Sequence, residues 1–252
     1  MEFSTILKSA VNEAGIINKA YSAFHNYSLG NQMAAAEQCL ARGFEISPIA
    51  SYKAWSEKGR QVKKGEKAIA LCMPITGLGE KLNSAGEYEA FNFSRFIWRN
   101  NWFLLSQTEG AEFVQEVKIA SWDKAKALKA LNITESTFNH INGNVQGYAQ
   151  GQSISVNPMA TLPHKTRFHE IAHIVLGHTS ENELFSDSEL TARNIKEVEA
   201  ESVAYILCNV LDLAGHAESR DYIQKWLRGA EIAEKSAQKI FSAADKILKA
   251  GA

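Results

Sequence analysis

The chain has 252 residues, 45% of them apolar and 22% charged, and its 27 basic and 28 acidic side chains leave a net charge of −1. That balance suits a soluble globular protein of one large or two ordinary domains, and it excludes a globally basic nucleic-acid binder, so any attraction for phosphate has to be local. Cys39, Cys72 and Cys208 lie in or beside apolar runs without a CxxC pair, which predicts buried free thiols, and no apolar run approaches membrane-spanning length.

Residues 1–17 read as an amphipathic helix with Glu2 and Glu13 rather than a signal peptide, which makes a cytoplasmic location the expectation. Helices are predicted over 3–25 and 31–43, with Ser28, Leu29 and Gly30 as the break between them and Gly43 as the stop. Residues 51–67 follow, with six basic side chains against two acidic ones and with Tyr52 and Trp55 among them. Cations that track phosphates, interleaved with rings that stack on bases, suit single-stranded nucleic acid; a solvated basic turn with a core tryptophan fits the composition equally well. Strands are expected over 68–74, 89–100 and 101–106, with a polar loop at 77–86 and a hairpin turn at Asn100 and Asn101. A domain boundary is placed just after Gly110.

The second half opens with predicted helices at 122–131 and 134–141 and a turn at 142–144. Two strands follow, at 145–149 and 153–157. Pro163 then stands where the first turn of a helix tolerates proline, and Gly177 stands where that helix should stop. Inside it is HExxH: His169 and His173 are four apart, so both imidazoles share a helix face and can reach one zinc ion, with Glu170 beside the open coordination position. A connector over 178–194 leads to an apolar-periodic helix in which Glu197 and Glu201 share a face, whereas Glu199 is about 200° round from Glu197. Glu197 is therefore assigned as the third zinc ligand. Glu201, one turn on, is assigned to accept the free N–H of a ligand histidine. Two more helices are predicted, over 219–229 and 231–249, the last with Ala237, Ile240, Phe241, Ala244, Ile247 and Leu248 as its buried stripe.

Several of these stretches together resemble the ArdC family of antirestriction proteins and the related N-terminal domains of plasmid primases. They are YKAW at 52–55 running on to GRQVKKGEK at 59–67, LSQTEG at 105–110, and HEIAH at 169–173 with EVEAE at 197–201. YIQKWL at 222–227 and IFSAADKIL at 240–248 are also similar to that family's C-terminal helices. The resemblance implies an α+β protein: a small α/antiparallel-sheet domain binding single-stranded DNA, over 1–112, followed by a mainly helical zincin-like metallopeptidase domain with a short sheet, over 113–252. Such proteins are carried by plasmids and phages and protect incoming DNA from restriction. His178 falls nine residues after His169, one short of the third histidine of metzincins, and is read as lying behind a ligand or at the cleft rim.

The expected chemistry is hydrolytic. His169, His173 and Glu197 hold Zn2+, Glu170 serves as general base and then acid, and a protein is the possible substrate. Tyr148, His178, Tyr205 and His216 are candidates, on residue type only, for stabilising the oxyanion. Lys53, Arg60, Lys63, Lys64 and Lys67 are expected at phosphates, with Tyr52 and Trp55 at bases. Two alternatives stand beside this reading: a protective single-strand binder whose zinc domain is structural or inactive, and a protease-like regulator that cleaves a repressor. No membrane partner is expected.

Overall fold

The structure, a computed structural model, describes residues 1–82, 88–115, 120–140, 144–179, 193–227 and 231–252. In chain order the helices and strands are α1 (Phe3–Asn12), α2 (Ile16–Phe24), α3 (Leu29–Ala41), β1 (Ile49–Ser51), α4 (Tyr52–Glu57), β2 (Arg60–Val62), β3 (Ile69–Leu82), β4 (Tyr88–Leu104), β5 (Thr108–Gly110) and α5 (Lys124–Leu131). They continue with β6 (Thr134–Glu135), β7 (Gly147–Gln150), β8 (Ser153–Val156), α6 (Pro163–Val175), α7 (Arg193–Val210), α8 (His216–Leu227) and α9 (Glu234–Gly251). The class is α+β, as expected. No helix among the described residues is long and apolar enough to cross a membrane.

The chain divides into two compact units, one of Met1 with Gln38–Gln115 and one of Glu2–Glu37 with Glu116–Ala252. The division at 112/113 expected from sequence thus differs at the N-terminus, because α1 and α2 belong with the second unit. Their apolar faces are buried there, and polar bonds fix them: Ser4 N–H donates to Glu234 Oε2 at 2.9 Å, Arg220 Nε to the Val11 carbonyl at 2.7 Å, and the Tyr205 hydroxyl to the Ala10 carbonyl at 3.2 Å. The helix expected over 3–25 is two helices, broken between Glu13 and Gly15.

In the first unit β1, β4 and β3 form one antiparallel sheet and β2 pairs with β5. The strands expected on either side of Asn100 and Asn101 are one strand, β4. Ile69 pairs with Trp102 and Ala70 with Asn100, so Asn101 is the extra residue of a bulge and its turn tendency is used to bend the strand. β3 runs through to Leu82, opposite Tyr88, where a loop from 77 was expected; residues 83–87 of that expectation lie outside the described residues. The core gathers Trp55, Ile69, Leu71, Trp102 and Leu104. The basic turn and the LSQTEG stretch meet here. Buried Gln107 accepts from Leu104 N–H at 2.9 Å and donates to Glu66 Oε2 at 2.8 Å and the Lys67 carbonyl at 3.0 Å.

In the second unit α7 is central, buried at every position from Val198 to Val210 and packed by α2, α6, α8 and α9. A helix enclosed on all sides is expected to be apolar all round. Its charged exceptions, Glu199 and Glu201, are 3% and 8% exposed and so require partners. A small sheet in the order β6-β8-β7, with β6 parallel and β7 antiparallel to β8, packs on α6. β6 replaces the helix expected over 134–141: Thr134 and Glu135 pair with Ser153 and Ile154, a non-local partnership that no local periodicity announces, and residues 136–140 are not helical. Of the expected turn at 142–144, Asn142 and Gly143 lie outside the described residues, as do 180–192 of the connector.

Candidate metal centre

The centre is built from α6 and the first turns of α7. Pro163 opens α6, and Phe168, Ile171, Ala172 and Ile174 anchor it in the core, which fixes where His169 and His173 face. Their Nε2 atoms are 3.1 Å apart, and Glu197 Oε2 lies 3.4 Å from the first and 3.8 Å from the second. Bonds of 2.0–2.1 Å from a tetrahedral ion place its ligand atoms about 3.3–3.4 Å from one another. The triangle therefore has the size that one cation requires, and two imidazoles with a carboxylate are a donor set for zinc and similar divalent ions.

Each of the two histidines is held from behind. His169 Nδ1 donates to Glu201 Oε2 at 2.9 Å, and Lys165 Nζ reaches Glu201 Oε1 at 2.8 Å. His173 Nδ1 lies 3.0 Å from His178 Nδ1, whose Nε2 is 2.9 Å from Glu199 Oε2. Burial alone would raise the Glu201 carboxyl, but hydrogen bonds from His169, Lys165 and Ser219 bring it down to about 2. Burial would likewise lower the His169 imidazole, and its bonds to Glu197 and Glu201 instead push it up to about 9. Hydrogen bonds from His169 and His173 hold the Glu197 carboxyl well below the usual range. The cluster thus keeps both carboxylates ionised.

Glu170 is different. It is 7% exposed, burial raises its carboxyl, and the neighbouring Glu197 charge raises it further, although His169 and His173 oppose this. A carboxyl shifted toward neutrality beside a triangle of possible metal donors is suited to moving a proton.

Among the groups considered for an oxyanion, Tyr205 is 2% exposed with its hydroxyl on the Ala10 carbonyl, and His178 is engaged at both ring nitrogens. His216 Nδ1 bonds the Leu213 carbonyl, and Tyr148 stacks obliquely with Phe138 and His140. Tyr222 of α8 escaped the sequence reading: burial, then the Glu197 and Glu201 charges, raise its phenol, so it senses the centre while 45% exposed. Glu199 also escaped it, because it reaches His173 only through His178.

In the first unit the structure separates the residues expected at DNA. Tyr52 is 49% exposed and the Lys53 side chain 87%, in a loose pair with Glu57, and Lys64 and Lys67 are exposed. Lys63 is exposed and donates to the Ser106 carbonyl at 2.9 Å. Trp55 is a correction: it is 1% exposed, its indole N–H donates to the Phe103 carbonyl at 2.8 Å, and Phe113 packs edge-on against it, so no ring face is left for a base. Arg60 is turned inward too, with its guanidinium on Thr108 Oγ1, the Thr108 carbonyl and the Ala111 carbonyl.

Residues 8–89 match the family described as the N-terminal domain of anti-restriction factor ArdC. That N-terminal stretch is ArdC-like in sequence. The metal-free crystal structure of the antirestriction ArdC protein from the R388 plasmid shares the fold of this chain, with a TM-score of 0.53 and 22% identity over 98% of this chain and 94% of that one. The Mn(II)-bound crystal structure of the same protein gives a TM-score of 0.54 and 20% identity over 98% and 96%. No curated protein matches the chain.

Proposed function

We propose that this ArdC-like chain is an antirestriction protein of a plasmid or phage that binds single-stranded DNA through its first unit and carries a zinc-dependent peptidase site in its second. The observation that supports the peptidase reading best is the position of Glu170, buried and raised, next to a three-ligand triangle of the right size. When bound, the ion would supply the Lewis acidity that activates water and polarises a scissile carbonyl. A carboxylate oxygen of Glu170 takes the water's proton and returns it to the leaving amine. His169 and His173 turn Nε2 toward the triangle because their Nδ1 atoms are engaged behind them, and Glu197 stays ionised at the pH of the cell. A purely structural zinc site has no use for an acid where Glu170 stands.

The DNA reading is supported by the ArdC-type N-terminal match, by Tyr52 and Lys53 exposed on α4, and by exposed Lys64 and Lys67 on the basic turn, where Gln107 holds Glu66 and the Lys67 carbonyl. The test compares wild type with Glu170→Gln on casein and on proteins bound to single-stranded DNA, alongside protection of transferred DNA from restriction. Cleavage by wild type alone is the expected result. Equal cleavage by both proteins would remove the peptidase reading, and full protection by the variant without any cleavage would leave a protective DNA-binding protein with a non-catalytic centre.

A further inference from the structure

We propose that Glu199 is a positioning residue of the metal centre: acting through His178, it sets the tautomer and ring plane of His173. The inference rests on the reading of His169, His173 and Glu197 as cation ligands. Glu199 lies about 200° round α7 from Glu197, too far to act as a ligand itself. His178 spans the gap, and the way α6 ends puts it there. Gly177 adopts φ +79, the left-handed conformation that glycine takes without strain, and its N–H bonds the Ile174 carbonyl at 3.0 Å while His178 N–H bonds the His173 carbonyl at 2.8 Å. This paired closure folds the chain back so that the His178 ring lies over the last turn of its own helix, 5.1 Å from the His173 ring between centroids.

For a neutral His178, the hydrogen-bond directions then admit one arrangement. A carboxylate only accepts, so His178 carries its N–H on Nε2, toward Glu199 Oε2 at 2.9 Å. Nδ1 of a neutral His178 is then a bare acceptor, and the bond of 3.0 Å to His173 Nδ1 requires the proton to be on His173. His173 Nε2 is left without a hydrogen and aimed at the ligand triangle. Were the His178 proton on Nδ1 instead, His173 would have to accept there, and its own N–H would point from Nε2 to where a cation belongs. Both partners are closed to water, with His178 and Glu199 side chains each 4% exposed, so solvent cannot substitute for the missing bond. Ser236 of α9 gives Glu199 a second hydrogen bond and fixes the carboxylate from its far side. His169, by contrast, rests directly on a carboxylate, so the two histidines are oriented by different means.

The test uses the full chain and two readouts. Long-range proton–nitrogen spectra of the chelated protein report histidine tautomers without any metal. Titration of Zn2+ against a competing chelator reports affinity. Wild type is expected to show His173 as the Nδ1–H tautomer. Glu199→Met, which conserves volume but cannot accept, and His178→Phe, which keeps a ring but has no nitrogen, should each lose that single tautomer and bind Zn2+ about 10–100-fold more weakly. Glu199→Gln, whose amide oxygen still accepts from His178, should keep the tautomer and stay within about threefold of wild type. If Glu199→Met fails to fold, His178→Phe and Glu199→Gln still decide the matter. An unchanged His173 tautomer and unchanged Zn2+ affinity in His178→Phe would overturn the inference. Wild type that takes up no Zn2+ would overturn the metal-centre reading instead, and the tautomer spectra would still judge the hydrogen-bond chain.

Discussion

The backbone of Gly147 lies directly against the carboxyl of Glu170. A methyl group at position 147 would sit 3.1 Å from Glu170 Oε1, 3.0 Å from the Ser155 carbonyl and 2.6 Å from Thr166 Cγ2. The start of β7 can therefore pass close to α6 only because no side chain intervenes. Gly147→Ala is expected to destabilise the protein by about 1–3 kcal/mol through overpacking and to displace Glu170. Thr166→Ser removes the nearest methyl, so the double variant should recover part of the loss. Urea unfolding of the four proteins of that cycle checks it, and strict additivity would mean that the clash lies elsewhere.

A second expectation concerns pH. Arg167 donates to Glu135 Oε1 from Nη2 at 2.8 Å, and Lys124 reaches Oε2 at 3.1 Å, which ties β6 to α6 and α5. Burial would raise the Glu135 carboxyl, but these partners hold it below its ordinary value of 4.5. Because the folded value is depressed, the contribution is fully present above the ordinary value and is lost as pH falls below it through the folded one. Glu135→Gln should therefore lower stability by about 1 kcal/mol at neutral pH, as befits a partly exposed ion-pair network. The stabilities of wild type and variant should converge in acid below that value. Denaturant midpoints measured from pH 7 down to 3 give the comparison, and a constant gap would reject the assignment.

What could be read from sequence followed from local period. His169, His173, Glu197 and Glu201 are positioned by helical spacing alone, and the structure brings all four together. Glu199 could not be read this way, since its link to the centre needs the left-handed turn at Gly177 and a seryl partner on α9. Trp55 was ambiguous because α4 is only six residues long, too short for a periodicity that separates inward from outward. Asn100 and Asn101 carried a sound turn signal that the sheet resolved as a bulge instead. The parallel partnership of β6 with β8 joins segments about twenty residues apart, and neither strand declares it. The placement of α1 and α2 in the second unit was likewise hidden, since an amphipathic face does not name what it packs against.

The contrast between Tyr52 and Trp55 makes a third prediction. With one ring exposed and the other enclosed, Tyr52→Ala is expected to weaken binding of labelled single-stranded oligonucleotides by about ten- to hundredfold, the effect of losing one base stack. Trp55→Phe should leave that affinity unchanged while costing about 1–3 kcal/mol of stability, because the Phe103 carbonyl loses its donor in a buried setting. Fluorescence anisotropy and thermal unfolding separate the two effects. The reverse pattern would place the nucleic acid elsewhere.

The last prediction follows from the way Glu201 divides its two oxygens, one on His169 Nδ1 at 2.9 Å and one on Lys165 Nζ at 2.8 Å. Glu201→Gln keeps an acceptor for the imidazole but removes the charge that offsets Lys165, whose side chain is 21% exposed. Glu201→Ala removes both. Zn2+ affinity is expected to fall about 10–100-fold in the alanine variant and less in the glutamine variant, since orientation of the ring survives in the latter. Stability should order differently. Both variants leave the Lys165 ammonium without its partner, and breaking a largely buried pair from one side costs about 3–5 kcal/mol in a dry interior and less where one group reaches water, as Lys165 does. Lys165→Met combined with Glu201→Gln, which removes both charges, should therefore be more stable than Glu201→Gln alone, without any gain in Zn2+ affinity. Urea unfolding of the chelated proteins and competitive Zn2+ titration measure the two quantities independently. A double variant no more stable than Glu201→Gln would show that the pair is held for orientation alone.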